Sequence, residues 1–270
     1  MVGVCILYRQ DSPTRKSKKM TLANSRLIDK HREIERPDPH ERIADYFDHH
    51  PQAHLTWPQR SAMGWMRTDS ASLPELYHQY VERKVMHDHQ FADFLAQSPT
   101  ARDMIRNAES VVPIGPGFGA EIDEIKNLRD GPICAVERNK NAWPVLTWQR
   151  DYLKAVGDIS EIQGLEGFVV FTAVHVLRQP SLADDQKMRA FALELLRVAP
   201  NGFTLLSTLP CGYKVDSKFA PRGDSILRGG IDCDRLLFET LCDLGANAKI
   251  RLGFSKIGTR AQFGLIEVIS

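Results

Sequence analysis

Gly115-Pro116-Gly117-Phe118-Gly119 lies between the apolar run Val111-Val112-Pro113-Ile114 and the segment Ala120-Glu121-Ile122-Asp123-Glu124-Ile125. Glycines at alternate positions let the backbone turn sharply and let a ligand approach the main chain. Glu121, Asp123 and Glu124 fall in the first turn of the helix that should follow, where acidic side chains suit the positive end of the helix. Glu137 comes about 20 residues after the glycine turn, at the end of the next apolar run. A carboxylate there accepts one hydrogen bond from each of two vicinal hydroxyls, as ribose binding requires. In Val156-Gly157-Asp158-Ile159 a second acid ends the following strand region, where it can accept the exocyclic amine of an adenine. The chemistry these residues could share is the holding of a nucleoside-bearing ligand.

The elements that must position them alternate. Val111–Ile114 reads as a strand, Ala120–Arg129 as a helix and Ile133–Glu137 as a strand. Trp143–Lys154 reads as a helix, leading through Ala155–Gly157 to Asp158. Phe168–Phe171 is a buried run, Ser181–Val198 a long helix that ends at Pro200-Asn201-Gly202, and Phe203–Leu206 a strand. After a loop over 210–230 come a helix at Asp232–Leu244 and two extended segments, Lys249–Ser255 and Gln262–Ile269. Short buried strands separated by helices predict an α/β fold, a doubly wound, mostly parallel sheet. The last two strands, close in sequence, should pair antiparallel.

Residues 1–108 are different: polar, rich in His, Arg, Gln and Pro, with eight of the nine histidines before residue 90. They are expected to form a mainly helical cap or substrate region with a basic tail around Arg15–Lys19, followed by a ligand-binding domain over 109–270. The clearest N-terminal helix is Leu73–Leu95, with Leu76, Tyr80, Val81, Val85, Phe91 and Phe94 near helical spacing and Ser72 as its cap.

At 43% hydrophobic and 26% charged residues, the chain of 270 residues has an ordinary globular composition. A net charge of +1 provides no basic field for nucleic acid or an anionic membrane. No apolar run reaches the ~20 residues that span a bilayer. The five cysteines, Cys5, Cys134, Cys211, Cys233 and Cys242, form no CxxC pair and read as reduced thiols of a cytoplasmic protein. No metal is expected: Pro51 breaks the His50/His54 spacing, and His87 and His89 face different sides of a helix.

Taken in order, several segments resemble the S-adenosylmethionine-dependent methyltransferases of the Rossmann-like, seven-stranded type. They are the stretch 111–119, Ala135-Val136-Glu137, Gly157-Asp158, the run Val169 to Leu177, Leu195 to Gly202 and Phe238 to Ala246. The resemblance covers about residues 110–270 and implies S-adenosyl-L-methionine as cofactor. It implies that Gly115, Gly117 and Gly119 face the methionine moiety and that Glu137 holds the ribose. Asp158 and the backbone of Ile159 would bind the adenine, and Thr172 and Ala173 would line the pocket near the sulfonium. Members often carry an acid two residues before the first glycine; Pro113 stands there, which removes a usual polar contact near the methionine amino group.

The expected activity is methyl transfer to N or O of a small-molecule acceptor. His175, after the fourth strand, is the candidate base; Tyr77, Tyr80 and Tyr213 are candidate substrate contacts. Thr172-Ala173-Val174-His175 replaces the Asn/Asp-Pro-Pro-aromatic sequence that, in the family, marks action on planar nitrogens, which argues against DNA adenine and protein glutamine. No membrane and no nucleic acid are expected as partners, and a homodimer is allowed. Alternatives left open are transfer of an aminocarboxypropyl group from the same cofactor, a nicotinamide oxidoreductase on the GxGxxA overlap, and a non-catalytic module of the same fold.

Overall fold

The computed structural model describes residues 45, 46, 48–50, 88–174, 176, 177, 182, 185–210, 230–254 and 261–269. Helices α1 (Asp88–Gln97) and α2 (Pro99–Asn107) lead into β1 (Ser110–Pro113). Then follow α3 (Ala120–Lys126), β2 (Ile133–Val136), α4 (Trp143–Thr147), β3 (Leu153–Val156) and β4 (Val169–Val174). Helix α5 (Asp185–Val198), β5 (Gly202–Pro210), α6 (Gly230–Asp243), β6 (Asn247–Phe254) and β7 (Ala261–Ile269) complete the order.

Five strands are ordered β1-β4-β5-β7-β6, and β2 and β3 form a parallel pair. A bridge between Ile114 and Val136 and the Gly115 N–H, donated to the Val136 carbonyl at 2.7 Å, lay that pair beside β1. Across the molecule the order is therefore β3-β2-β1-β4-β5-β7-β6. Only β7 runs antiparallel to its neighbours. The mostly parallel sheet with an antiparallel end is the arrangement the sequence predicts, with β7 inserted between β5 and β6.

Side chains along the strands alternate between two cores, as period two requires. Val169, Phe171 and Ala173 of β4 join Phe203, Leu205, Leu195 and Leu237 on the α5–α6 face. Val170 joins Leu206, Ile122, Ile105, Phe91 and Phe94 on the other. Phe94 stacks on Phe263 at 4.6 Å between centroids. Fully burying one such side chain stabilises the fold by about 1.5–3 kcal/mol. Helices α1 and α2 thus share a core with the sheet, although the sequence reading groups residues up to 108 with the N-terminal region. Ser98 caps α2, accepting the Ala101 N–H at 3.2 Å, with Pro99 at the first helical position.

Two elements differ from expectation, and α2 (Pro99–Asn107) is one that the sequence reading did not give. The helix expected over Trp143–Lys154 stops at Thr147; Gln149 then turns the chain with φ +52°. Leu153–Val156 pairs in register with Ile133–Val136. Strand pairing with β2 outweighs the local helical pattern there. Upstream, Asp45, Tyr46, His49 and His50 dock on this corner. Trp148 Nε1 and Gln149 Nε2 both donate to Asp45 Oδ2 at 3.0 Å, and the Tyr46 and His50 rings stack at 4.3 Å. Cys134, Cys233 and Cys242 carry no disulfide. Among the described residues no helix is long and apolar enough to cross a membrane.

Candidate functional site

The glycine turn follows β1 at the point where the sheet reverses: β2 and β3 extend to one side of β1, β4 and β5 to the other. In an open α/β sheet this switch point, outside the carboxyl ends of the strands, opens a crevice for ligands. Gly115, Gly117 and Gly119 all have left-handed backbones, with φ +63°, +58° and +88°. A Cβ on Gly115 would lie 2.7 Å from Val176 Cγ2, and one on Gly119 would lie 2.9 Å from Arg150 Nη1 and Leu146 Cδ1. The turn requires glycine at both positions for conformation and for space.

Glu137 is buried at the end of β2. Its Oε2 accepts the Gly117 N–H at 2.9 Å and its Oε1 the Asn139 N–H at 2.8 Å. Trp143 Nε1 donates to the Glu137 carbonyl at 2.8 Å, which fixes the main chain beneath the carboxylate. The carboxylate and the glycine turn are therefore one hydrogen-bonded unit.

Arg150 supports the turn from below. Fully buried, it pairs with Asp123 through Nη2–Oδ2 at 2.7 Å and Nε–Oδ1 at 3.0 Å. It also donates to the carbonyls of Phe118 and Gly119, each at 3.2 Å, and of Leu146 at 2.6 Å. One guanidinium thus ties the turn, α3 and α4 together. Asp123 does not serve as an exposed first-turn acid near the helix end; it is the counter-ion of this buried cation. The sequence reading missed Arg150, Trp143 and Asn139. The partner of Arg150 lies 27 residues away, beyond any helical or strand period.

Glu121 is also buried, and differently placed. Thr172 Oγ1 on β4 donates to its Oε1 at 2.8 Å. Burial pushes its carboxyl up to about 8; the Thr172 hydrogen bond opposes this and the Glu137 charge adds to it. Thr172 is the register partner of Pro113, so the Glu121–Thr172 hydrogen bond lies level with the end of β1. Ala173, beside it, is fully buried.

Asp158 lies at the end of β3 and caps the 3₁₀ turn Ile159–Glu161, accepting the Ser160 N–H at 3.0 Å. Arg138 Nη2 stands 3.2 Å from its Oδ2. Burial raises the Asp158 carboxyl, but the Ser160 and Arg138 contacts outweigh it and hold it below the usual carboxylate range. Ile159 is buried behind it, with Arg197 Nη2 donating to its carbonyl at 3.0 Å. His175, Tyr77, Tyr80 and Tyr213 lie outside the described residues.

No family model matches the chain, and no curated protein matches it. Solved structures do. Magnesium protoporphyrin IX methyltransferase (ChlM) from Synechocystis PCC 6803 with bound SAM is 14% identical; the match covers 86% of this chain and 98% of that one, with a TM-score of 0.47. N-methyltransferase NodS from Bradyrhizobium japonicum WM9 is 12% identical over 68% of this chain and 100% of that one, TM-score 0.48. The methyltransferase domain of bacterial CtHen1 is 13% identical over 68% and 99%, TM-score 0.48. What decides the fold is the strand order, with its parallel β3-β2-β1-β4-β5 and antiparallel β7. The chain has the doubly wound, seven-stranded fold expected from its resemblance to the S-adenosylmethionine-dependent methyltransferases. In this fold the glycine turn, Glu137, Asp158 and Thr172 all stand at one edge of the sheet, after β1, β2, β3 and within β4.

Proposed function

We propose that the protein binds S-adenosylmethionine at the glycine turn and transfers its methyl group to N or O of a small-molecule acceptor. One observation carries the reading. The buried Glu137 carboxylate is held by the N–H groups of Gly117 and Asn139 at the sheet's switch point. A carboxylate held in this way is already ordered before a ligand arrives, and carboxylate oxygens suit a pair of vicinal hydroxyls. Gly115 and Gly117 would let the ligand approach the main chain, and Asp158 with Ile159 would meet the base. Thr172 and Ala173 would line the far end, beside β4.

When bound, the cofactor supplies a methyl group on a sulfonium that is already an activated donor. What this chain has to add is position: a dry pocket that holds the acceptor in line with the methyl. In this reading His175 takes the proton released by an acceptor that must lose one. Tyr77, Tyr80 and Tyr213 would contact the acceptor. The polar residues described at the sheet edge suit a ligand of nucleoside size, and the near-neutral charge favours a small acceptor over nucleic acid.

Thermal shift with S-adenosylmethionine, S-adenosylhomocysteine and NADH tests the cofactor. The two sulfur ligands should raise the melting temperature and NADH should not; the reverse would sink the reading. Once an acceptor is found, mass spectrometry of the spent cofactor decides the group transferred. S-adenosylhomocysteine means methyl; methylthioadenosine means aminocarboxypropyl.

A further inference from the structure

Glu121, in the first turn of α3 beside the glycine turn, is a buried carboxyl with few contacts of its own. Its side chain is buried, and among the described residues its one hydrogen-bond partner is the Thr172 hydroxyl, at Oε1. The nearby charge that acts on it is another carboxylate, Glu137. Asp123, two residues on in the same helix, instead has a bidentate arginine. A carboxyl buried with one hydroxyl and a like charge is costly unless it keeps its proton or meets a cation. Pro113, across from Thr172, supplies neither a charge nor an N–H.

We propose that the Glu121 carboxylate, oriented by Thr172, receives the α-ammonium group of the cofactor's amino-acid end. This rests on the cofactor reading above. If Glu137, at the end of β2, holds the ribose, the rest of the ligand extends across β1 toward β4, where Glu121 and Thr172 meet. The cofactor has two positive centres, and the chemistry selects between them. The sulfonium loses its charge as the methyl leaves, so a carboxylate against it would stabilise the ground state and slow transfer. The ammonium keeps its charge throughout, so pairing with it anchors the ligand without raising the barrier. On binding, the Glu121 O–H bond breaks, its proton passes to the buffer, and the carboxylate left behind pairs with the ammonium. Because burial pushes this carboxyl up to about 8, the proton is present to be released at pH 7.

The test is calorimetry at pH 7 in buffers of different ionisation enthalpy, on wild type, Glu121→Gln and Thr172→Val. The ligands are S-adenosylmethionine, S-adenosylhomocysteine and methylthioadenosine, which lacks both the amino-acid end and the sulfonium. Wild type should release about one proton with the first two ligands and none with the third. Glu121→Gln should abolish that release and weaken both amino-acid-bearing ligands about tenfold or more, leaving methylthioadenosine within about twofold. Thr172→Val should weaken the same two ligands by a smaller factor. Unchanged S-adenosylhomocysteine affinity with proton release retained in Glu121→Gln would overturn the assignment. So would weakening confined to S-adenosylmethionine, which would place the carboxyl at the sulfonium. A folded wild type that binds none of the three would remove the cofactor reading itself, and this assignment with it.

Discussion

The two sides of the glycine turn are built on opposite plans. On the β2 side each charge has its complement: Glu137 accepts two backbone N–H groups, and Asp123 takes a bidentate arginine that also binds four carbonyls of the surrounding chain. On the β4 side a buried carboxyl, Glu121, has a hydroxyl and a like charge. The first plan makes a rigid cradle, since removing any member strands another in low dielectric. The second makes a responsive group, whose charge state depends on what enters. A site with both can hold the invariant part of a ligand firmly while its polar end is recognised by a change of protonation.

Substitutions can break this contrast. The largest effect is expected at Arg150. Arg150→Met should leave Asp123 buried without its cation and destabilise the protein by about 3–5 kcal/mol, read by denaturant melts. If Arg150→Met costs less than about 1 kcal/mol, the cradle is not rigid. Next comes the pH dependence of Glu121. Its folded-state carboxyl lies at about 8, against an ordinary value of 4.5. Between those values the folded chain holds a proton that the unfolded chain has lost. Stability is therefore highest below pH 4.5 as far as this group is concerned, and falls as pH rises to 8. The slope is at most about 1.4 kcal/mol per pH unit. Glu121→Gln should flatten that decline between pH 5 and 8; an unchanged slope would mean the two sides of the turn are alike.

Smaller effects sharpen the picture. Glu137→Ala should cost about 1.5–3 kcal/mol of S-adenosylhomocysteine binding, measured by titration calorimetry. Gly119→Ala should destabilise by about 1–3 kcal/mol, because φ +88° and the Arg150 and Leu146 atoms at 2.9 Å both oppose a side chain. The smallest change is expected from Arg138→Ala. Its pair with Asp158 is half-exposed and screened by water, so the loss should stay below about 1 kcal/mol, and the Asp158 carboxyl should titrate higher by NMR.

Much of this site is legible in the residues alone. The glycine turn, the strand-end acids Glu137 and Asp158 and the antiparallel finish are local patterns, and each stands where its pattern places it. Two readings changed. Trp143–Lys154 looks helical as an isolated string, yet its second half pairs with β2, and strand pairing is a contact that no local window contains. Glu121 and Asp123 look like interchangeable first-turn acids. They differ because they are two residues apart on a helix and so face different neighbours, β4 for one and Arg150 for the other.

By itself the sequence determined most of the order of strands and helices and where the chain must turn at glycine, because hydrophobic period and backbone sterics act over a few residues. The identity of the partner for each buried charge was decided by the tertiary structure alone. Arg150 and Asp123 are 27 residues apart and Thr172 and Glu121 are 51 apart. Only the tertiary packing of α3 brings those atoms within hydrogen-bonding distance, and with them the difference between a paired charge and a carboxyl that burial keeps protonated.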